Sequence, residues 1–364
     1  MSRSCLYLVS SSANREYVVD CLEALALPRG LVQHFRYRRP YVDEALWNGL
    51  PDEPGRTPDE LADCPVVVLY LFQEQSSGAW RTSSPYLPVR CGRLVEAFRD
   101  GKVAHFYFTV TDYIMQAADR REARLIPGDT KFKTSSAPDA RDSYAHLDRD
   151  LEIAAPPSYG DTLAFQDFVD FASKATQWRT RSLGSAPLDV TYALMFFRVA
   201  SVLYEQGGRW TELEPRLRRL PGHPVAEYEL RPLQTYYVKI ITYLFFPLPA
   251  QFPGQGTATL NLGFDQRIFQ SSGRASFPIS SSYDLEHLAF QPLSVTDERR
   301  AVLRIECRHG TPTDRENFVR REVLAAEVLL PAVVRPEDDR PRPSMAQRRG
   351  GREGSAGRAS GGPR

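Results

Sequence analysis

The sequence predicts an α+β fold: an N-terminal, mostly antiparallel sheet or barrel with one helix, then a C-terminal β-sandwich-like domain with flanking helices and a disordered tail. Three observations predict it. Short β-prone runs alternate with Gly, Pro and Ser punctuation along much of the chain. A length of 364 residues, 42% of them apolar, exceeds what one hydrophobic core usually organises. Beyond Arg335 the apolar side chains nearly vanish, so that segment cannot offset its ordering entropy. The expected layout is an N-terminal module at 1–125, a linker at 126–160, a β-rich domain at 161–334 and a tail at 335–364.

The chain opens with an apolar strand at 5–9. Ser10, Ser11 and Ser12 then supply hydroxyls for the free amides of a helix start. Tyr17, Val18, Cys21, Leu22 and Leu25 recur on one helical face, and Pro28 with Gly30 ends the helix. Leu31, Phe35 and Tyr37 alternate with Val32, His34 and Arg36, the pattern of a half-buried strand. The continuous run PVVVLYLF at 65–72 predicts a central strand covered on both faces. Strand-like segments at 89–98 and 103–110 flank Asp100-Gly101, where glycine tolerates the positive φ of a tight hairpin.

In the second half, apolar runs at 190–203, 233–246, 257–264, 287–293 and 301–307 predict short strands. The first of them, TYALMFFRVASVLY, suits a buried helix almost as well. A helix is expected at 161–178. Thr313 and Glu316 fit a capping box, which predicts another helix through Phe318, Val319, Val323, Ala326 and Leu330.

Composition excludes several function classes. Residues 335–364 hold eight Arg against four acidic residues, a net +4, which leaves −3 for residues 1–334 out of the chain total of +1. A mildly acidic body is unlike a dedicated nucleic-acid binder. The five cysteines are scattered and never in CxxC spacing, which argues against a disulfide framework and a zinc site and fits a reducing compartment. No apolar run approaches the length of a membrane span, and the start MSRS lacks a signal-peptide core. The expectation is a cytoplasmic protein with no membrane span and no cofactor.

Motifs for chemistry are sparse. Gly254-Gln-Gly256 lacks the third glycine of a dinucleotide fingerprint and precedes a strand, and Gly128 to Lys131 is not a phosphate loop. Cys307 and His309 share a strand face and form the best nucleophile pair, but Leu303 and Ile305 on that face make Cys307 read as a core residue. Ser280, Ser281, Ser282, Asp284 and His287 contain the residue types of a serine triad without its nucleophile elbow. The six histidines are dispersed, without spacing that aims two imidazoles at one ion.

The basic and aromatic stretch RGLVQHFRYRRPY at 29–41 is the strongest binding candidate. Arg36, Arg38 and Arg39 are placed to contact phosphates or carboxylates, with Tyr37 and Tyr41 as stacking partners. Alternation also permits the aromatics to face inward and the arginines to face water. The expected function is non-catalytic: binding a protein partner or small ligand as a component of a larger intracellular assembly. Nucleic-acid binding through 29–41 is the first alternative, and a cysteine hydrolase using Cys307 and His309 the second.

Overall fold

The computed structural model describes residues 4–11, 20, 23–71, 73–76, 79–82, 87–113, 144–148, 195–244, 257–273, 276–279, 283–310 and 324–336. The first half builds β1 (Cys5–Ser11), β2 (Val32–Arg38), β3 (Pro65–Leu71), β4 (Gln73–Ser76), β5 (Ala79–Thr82), β6 (Leu87–Asp100), β7 (Val103–Tyr113) and β8 (Tyr144–Asp148). Six of these form one sheet in the order β2-β7-β6-β3-β1-β8, and β4 with β5 form a separate ribbon. Only β1 and β3 pair in parallel in the six-stranded sheet. Both faces of its centre are buried, as the continuous apolar run of β3 requires: Leu6, Leu8, Val66 and Val68 face one cluster, and Tyr7, Val9, Val67 and Leu69 the other.

The sheet curls. A short helix, α1 (Glu44–Gly49), follows β2, its first amides capped by the Asp43 carboxylate, which accepts from Ala45 N and Leu46 N. Just before it, Val42 meets Ala145 of β8 in a single parallel bridge, and Asp43 N donates to Ala145 O at 3.0 Å. The two edges thus approach at one bridge, and the sheet is not closed into a barrel. Residues 126–160 contribute β8 to this sheet.

The second half builds β9 (Met195–Gln206), β10 (Arg209–Leu213), β11 (Arg216–Arg218), β12 (Val225–Leu230), β13 (Tyr236–Leu244), β14 (Thr257–Gly263), β15 (Phe269–Ser271), β16 (Ser276–Ile279), β17 (Tyr283–Pro292), β18 (Arg299–Gly310) and β19 (Leu324–Val334). They form a five-stranded sheet, β10-β9-β13-β17-β15, and a six-stranded sheet, β11-β12-β19-β18-β14-β16. Phe197, Val238, Ile240, Leu288 and Phe290 of the first sheet share one buried cluster with Leu303, Ile305, Val328 and Leu330 of the second. The same cluster includes the inner face of the N-terminal sheet.

Two expectations about elements are corrected. The helix drawn through Val323, Ala326 and Leu330 is strand β19 from Leu324 onward, antiparallel to β18 and parallel to β12. Val328, Leu330 and Ala332 lie buried at a period of two, and pairing on both sides satisfies the backbone that a helix would have satisfied internally. Thr313 and Glu316 lie outside the described residues, as does the helix expected at 161–178. The segment that suited helix or strand is the strand β9. The hairpin turn is Gly101-Lys102, one residue later than Asp100-Gly101, because Asp100 pairs with Val103; Gly101 has φ +56°.

Of the N-terminal helix, residues 23–26 are described as helical, and Leu27 N donates to Glu23 O at 3.0 Å. Its end is held by Arg90, 1% exposed, whose guanidinium donates to the carbonyls of Ala24, Leu25 and Leu27 and, from its other nitrogens, to Thr111 O. Among the described residues no helix is long and apolar enough to cross a membrane.

Candidate functional site

Register brings side chains from three strands onto the outer face of the N-terminal sheet. Across β2, β7 and β6 the rows are His34, Tyr107 and Glu96; Arg36, His105 and Phe98; and Arg38, Val103 and Asp100. Each strand contributes alternate residues, so all nine share one face. The opposite face takes Phe35, Tyr37, Phe106, Phe108 and Ala97 into the core.

The rings of this face are parallel. His34 stacks on Tyr107 with centroids 4.0 Å apart, and His105 stacks on Phe98 at 4.8 Å. His34 Nε2 lies 3.1 Å from His105 Nδ1, a hydrogen bond in which one imidazole donates and the other accepts. Burial, then the charges of His105, Arg36 and His223, push His34 down to about 3, and burial with Arg36 also lowers His105 against the opposing pull of Asp100. Both imidazoles are therefore neutral near pH 7. Burial and the Glu96 carboxylate raise the Tyr107 hydroxyl, so it too stays protonated.

Glu96 is buried, and its two carboxylate oxygens are spoken for. One accepts from Gly55 N, the other from Gly222 N at 2.9 Å. Gly222 lies in the loop between β11 and β12, so this carboxylate ties the second half of the chain to the outer face of the first. The contact is close on both sides: a Cβ on Gly55 would meet Pro221 at 3.3 Å, and one on Gly222 would meet Pro54 at 3.4 Å.

The arginines of the two halves differ in company. On the outer face of the β11-β12-β19-β18 region, Arg216 and Arg335 meet Glu229, Arg218 and Arg300 meet Glu227, and Arg304 meets Glu327. Arg36, Arg38 and Arg39 form no ion pair among the described residues, and Arg36 and Arg38 project from the exposed positions of β2. Arg39 lies over the Trp47 ring at 5.8 Å, on a tryptophan that Arg99 also approaches at 5.8 Å.

The other sequence candidates are placed as follows. Tyr37 is not on the arginine surface: it is 1% exposed, its ring packs on Phe35 and Phe106, and its hydroxyl donates to Val9 O. Alternation put it inward with Phe35, so it offers no stacking face to a ligand. Tyr41 is partly buried against the same core. Cys307 and His309 lie opposite Leu260 and Ala258 in the β14-β18 ladder, on the register face of the buried Leu303 and Ile305; their side chains fall outside the described set. Ser280, Ser281 and Ser282 also lie outside it. Asp284 and His287 stand three apart on β17, hence on opposite faces, and the exposed His287 stacks near Trp210 instead, at 6.3 Å.

The His34–His105 contact was invisible in sequence because 71 residues separate the partners. Among the described residues no group of three or more His, Cys, Asp or Glu is placed to hold a metal ion. Comparison with protein-family models, with curated proteins and with solved structures finds no significant match to any of them.

Proposed function

We propose that the protein is a non-catalytic binding component of a larger assembly, and that it engages an acidic protein partner through the outer face of β2 and its approach to α1. The observation that carries this reading is the contrast in arginine pairing. Arg216, Arg218, Arg300, Arg304 and Arg335 are matched by carboxylates of their own sheet, whereas Arg36, Arg38 and Arg39 form no ion pair among the described residues, Arg36 acting on Glu23 only at longer range. Unpaired guanidinium groups in a row favour carboxylate or phosphate oxygens, which they can bind bidentately. A protein partner is favoured over nucleic acid because Phe35 and Tyr37 are in the core and Tyr41 is partly buried against it, which leaves little aromatic face in this stretch for bases to stack on.

Two further parts of the reading have support of the same kind. Cys5, Cys64 and Cys91 form no disulfide among the described residues, in keeping with a cytoplasmic, reducing setting. The approach of β9 to β19, with one buried cluster shared by their sheets, supports a sandwich-like second half.

The test is the triple variant Arg36→Ser, Arg38→Ser, Arg39→Ser, compared with the wild type in co-purification from the native cell and in titration with a poly-glutamate peptide and a single-stranded oligonucleotide. Loss of a protein partner and of peptide binding, with an unchanged thermal midpoint, supports the reading. Loss of oligonucleotide binding alone, with a shallower salt slope, transfers the surface to nucleic acid. A variant that keeps every interaction overturns both.

A further inference from the structure

The loop between β11 and β12, residues 219–224, crosses from the second half of the chain to the histidine face of the first. It is seated by a hydrogen bond from Gly222 N to Glu96 and by the meeting of Pro221 and Gly222 with Pro54 and Gly55. Its charged and titratable side chains are Arg219 and His223, both exposed, and His223 is close enough to act electrostatically on His34. Around it stand His34 and Arg36 from β2, His105 and Tyr107 from β7, and Glu96 and Asp100 from β6. Three imidazoles and a guanidinium are thus gathered where the loop docks, against the buried carboxylate of Glu96 and the more distant Asp100.

We propose that this loop is an acid-released latch: it stays on Glu96 while His34 and His105 are uncharged, and it lifts when these two imidazoles take up protons beside Arg36, because the lifted loop leaves the charged rings open to water. The His34–His105 hydrogen bond needs one ring nitrogen without a proton, so a doubly charged pair loses that bond and gains a like-charge contact at 3.1 Å. The stacks on Tyr107 and Phe98 keep both rings in place and prevent them from swinging apart.

The sign follows from the lowered His34 and His105. The docked form holds fewer protons than the lifted one, whose imidazoles move back toward the ordinary 6.5. Docking is therefore fully favoured above 6.5 and loses favour progressively as pH falls from there toward 3.

Hydrogen exchange on the full chain reads this directly, because Glu96 accepts two amides and only one belongs to the latch. The protection factor of the Gly222 amide should fall by about tenfold or more between about pH 8 and about pH 5, while that of Gly55 holds. The variant His34→Gln with His105→Gln should keep Gly222 protected over the same range, and the exposed His223→Gln should move the loss to lower pH without disturbing the sheet. A parallel loss at Gly55 and Gly222 overturns the proposal, since it places the change in Glu96 or in global unfolding. So does a Gly222 protection that ignores pH, or that falls identically in the wild type and in His223→Gln.

Discussion

The Tyr37 hydroxyl donates to the Val9 carbonyl at 3.1 Å, although three strands stand between β2 and β1 in the sheet. The contact crosses the interior of the curl. A flat sheet would hold the two strands roughly 19 Å apart at its ordinary spacing, far beyond the reach of a tyrosine. It therefore measures the closure that the Val42–Ala145 bridge begins.

Tyr37→Phe should cost about 1 kcal/mol, the usual net worth of a buried neutral hydrogen bond, because the ring still fills its place and only the donor is lost. Urea unfolding should show a lower midpoint at unchanged slope. An unchanged midpoint would mean that Val9 O finds another donor and that the curl does not depend on this tie.

Arg90 is a second tie, and a heavier one. Three carbonyls at the end of the N-terminal helix and that of Thr111 in β7 converge on its buried guanidinium. Arg90→Met keeps much of the stem volume while stripping every donor, which leaves helix-terminal carbonyls without their partner. We expect a loss of about 3 kcal/mol, at the upper end for hydrogen bonds to a charged group. A thermal midpoint within a degree of the wild type would show that the helix end is satisfied without Arg90.

How much of this was legible in the sequence depends on the range of each interaction. The inward Phe35 and Tyr37 and the outward Arg36 and Arg38 follow from alternation within seven residues, and the structure places them so. Gly101 marks its hairpin for the same local reason. β19 was misread because Val323, Ala326 and Leu330 satisfy a helical spacing while Val328, Leu330 and Ala332 satisfy a strand's, and only pairing with β18 and β12 decides between them. The histidine face was not legible at all. His34, Glu96, His105 and Gly222 are local to nothing in the chain, and the register that assembles them is a property of the folded sheet.

The last prediction concerns Cys64 and alkaline pH. Burial, reinforced by the carboxylates of Asp63 and Glu60, pushes this thiol up to about 11 from its ordinary 9.0, against the lowering effect of the Leu6 backbone. The thiol donates to Ser4 O at 3.3 Å and is 4% exposed. The folded state therefore holds its proton where the unfolded chain has released it. Stability from this group is present below pH 9.0 and declines as pH rises from there toward 11, by about 2 kcal/mol over the whole window. Cys64→Ser keeps a donor for Ser4 O and has nothing to titrate there, so the difference in unfolding free energy between wild type and variant should shrink steadily across that window. In native protein at pH 8 the buried Cys5, Cys64 and Cys91 should resist iodoacetamide and become reactive only in denaturant. Rapid native alkylation of Cys64, or a variant whose alkaline slope matches the wild type, would show that the thiol is neither sealed nor shifted.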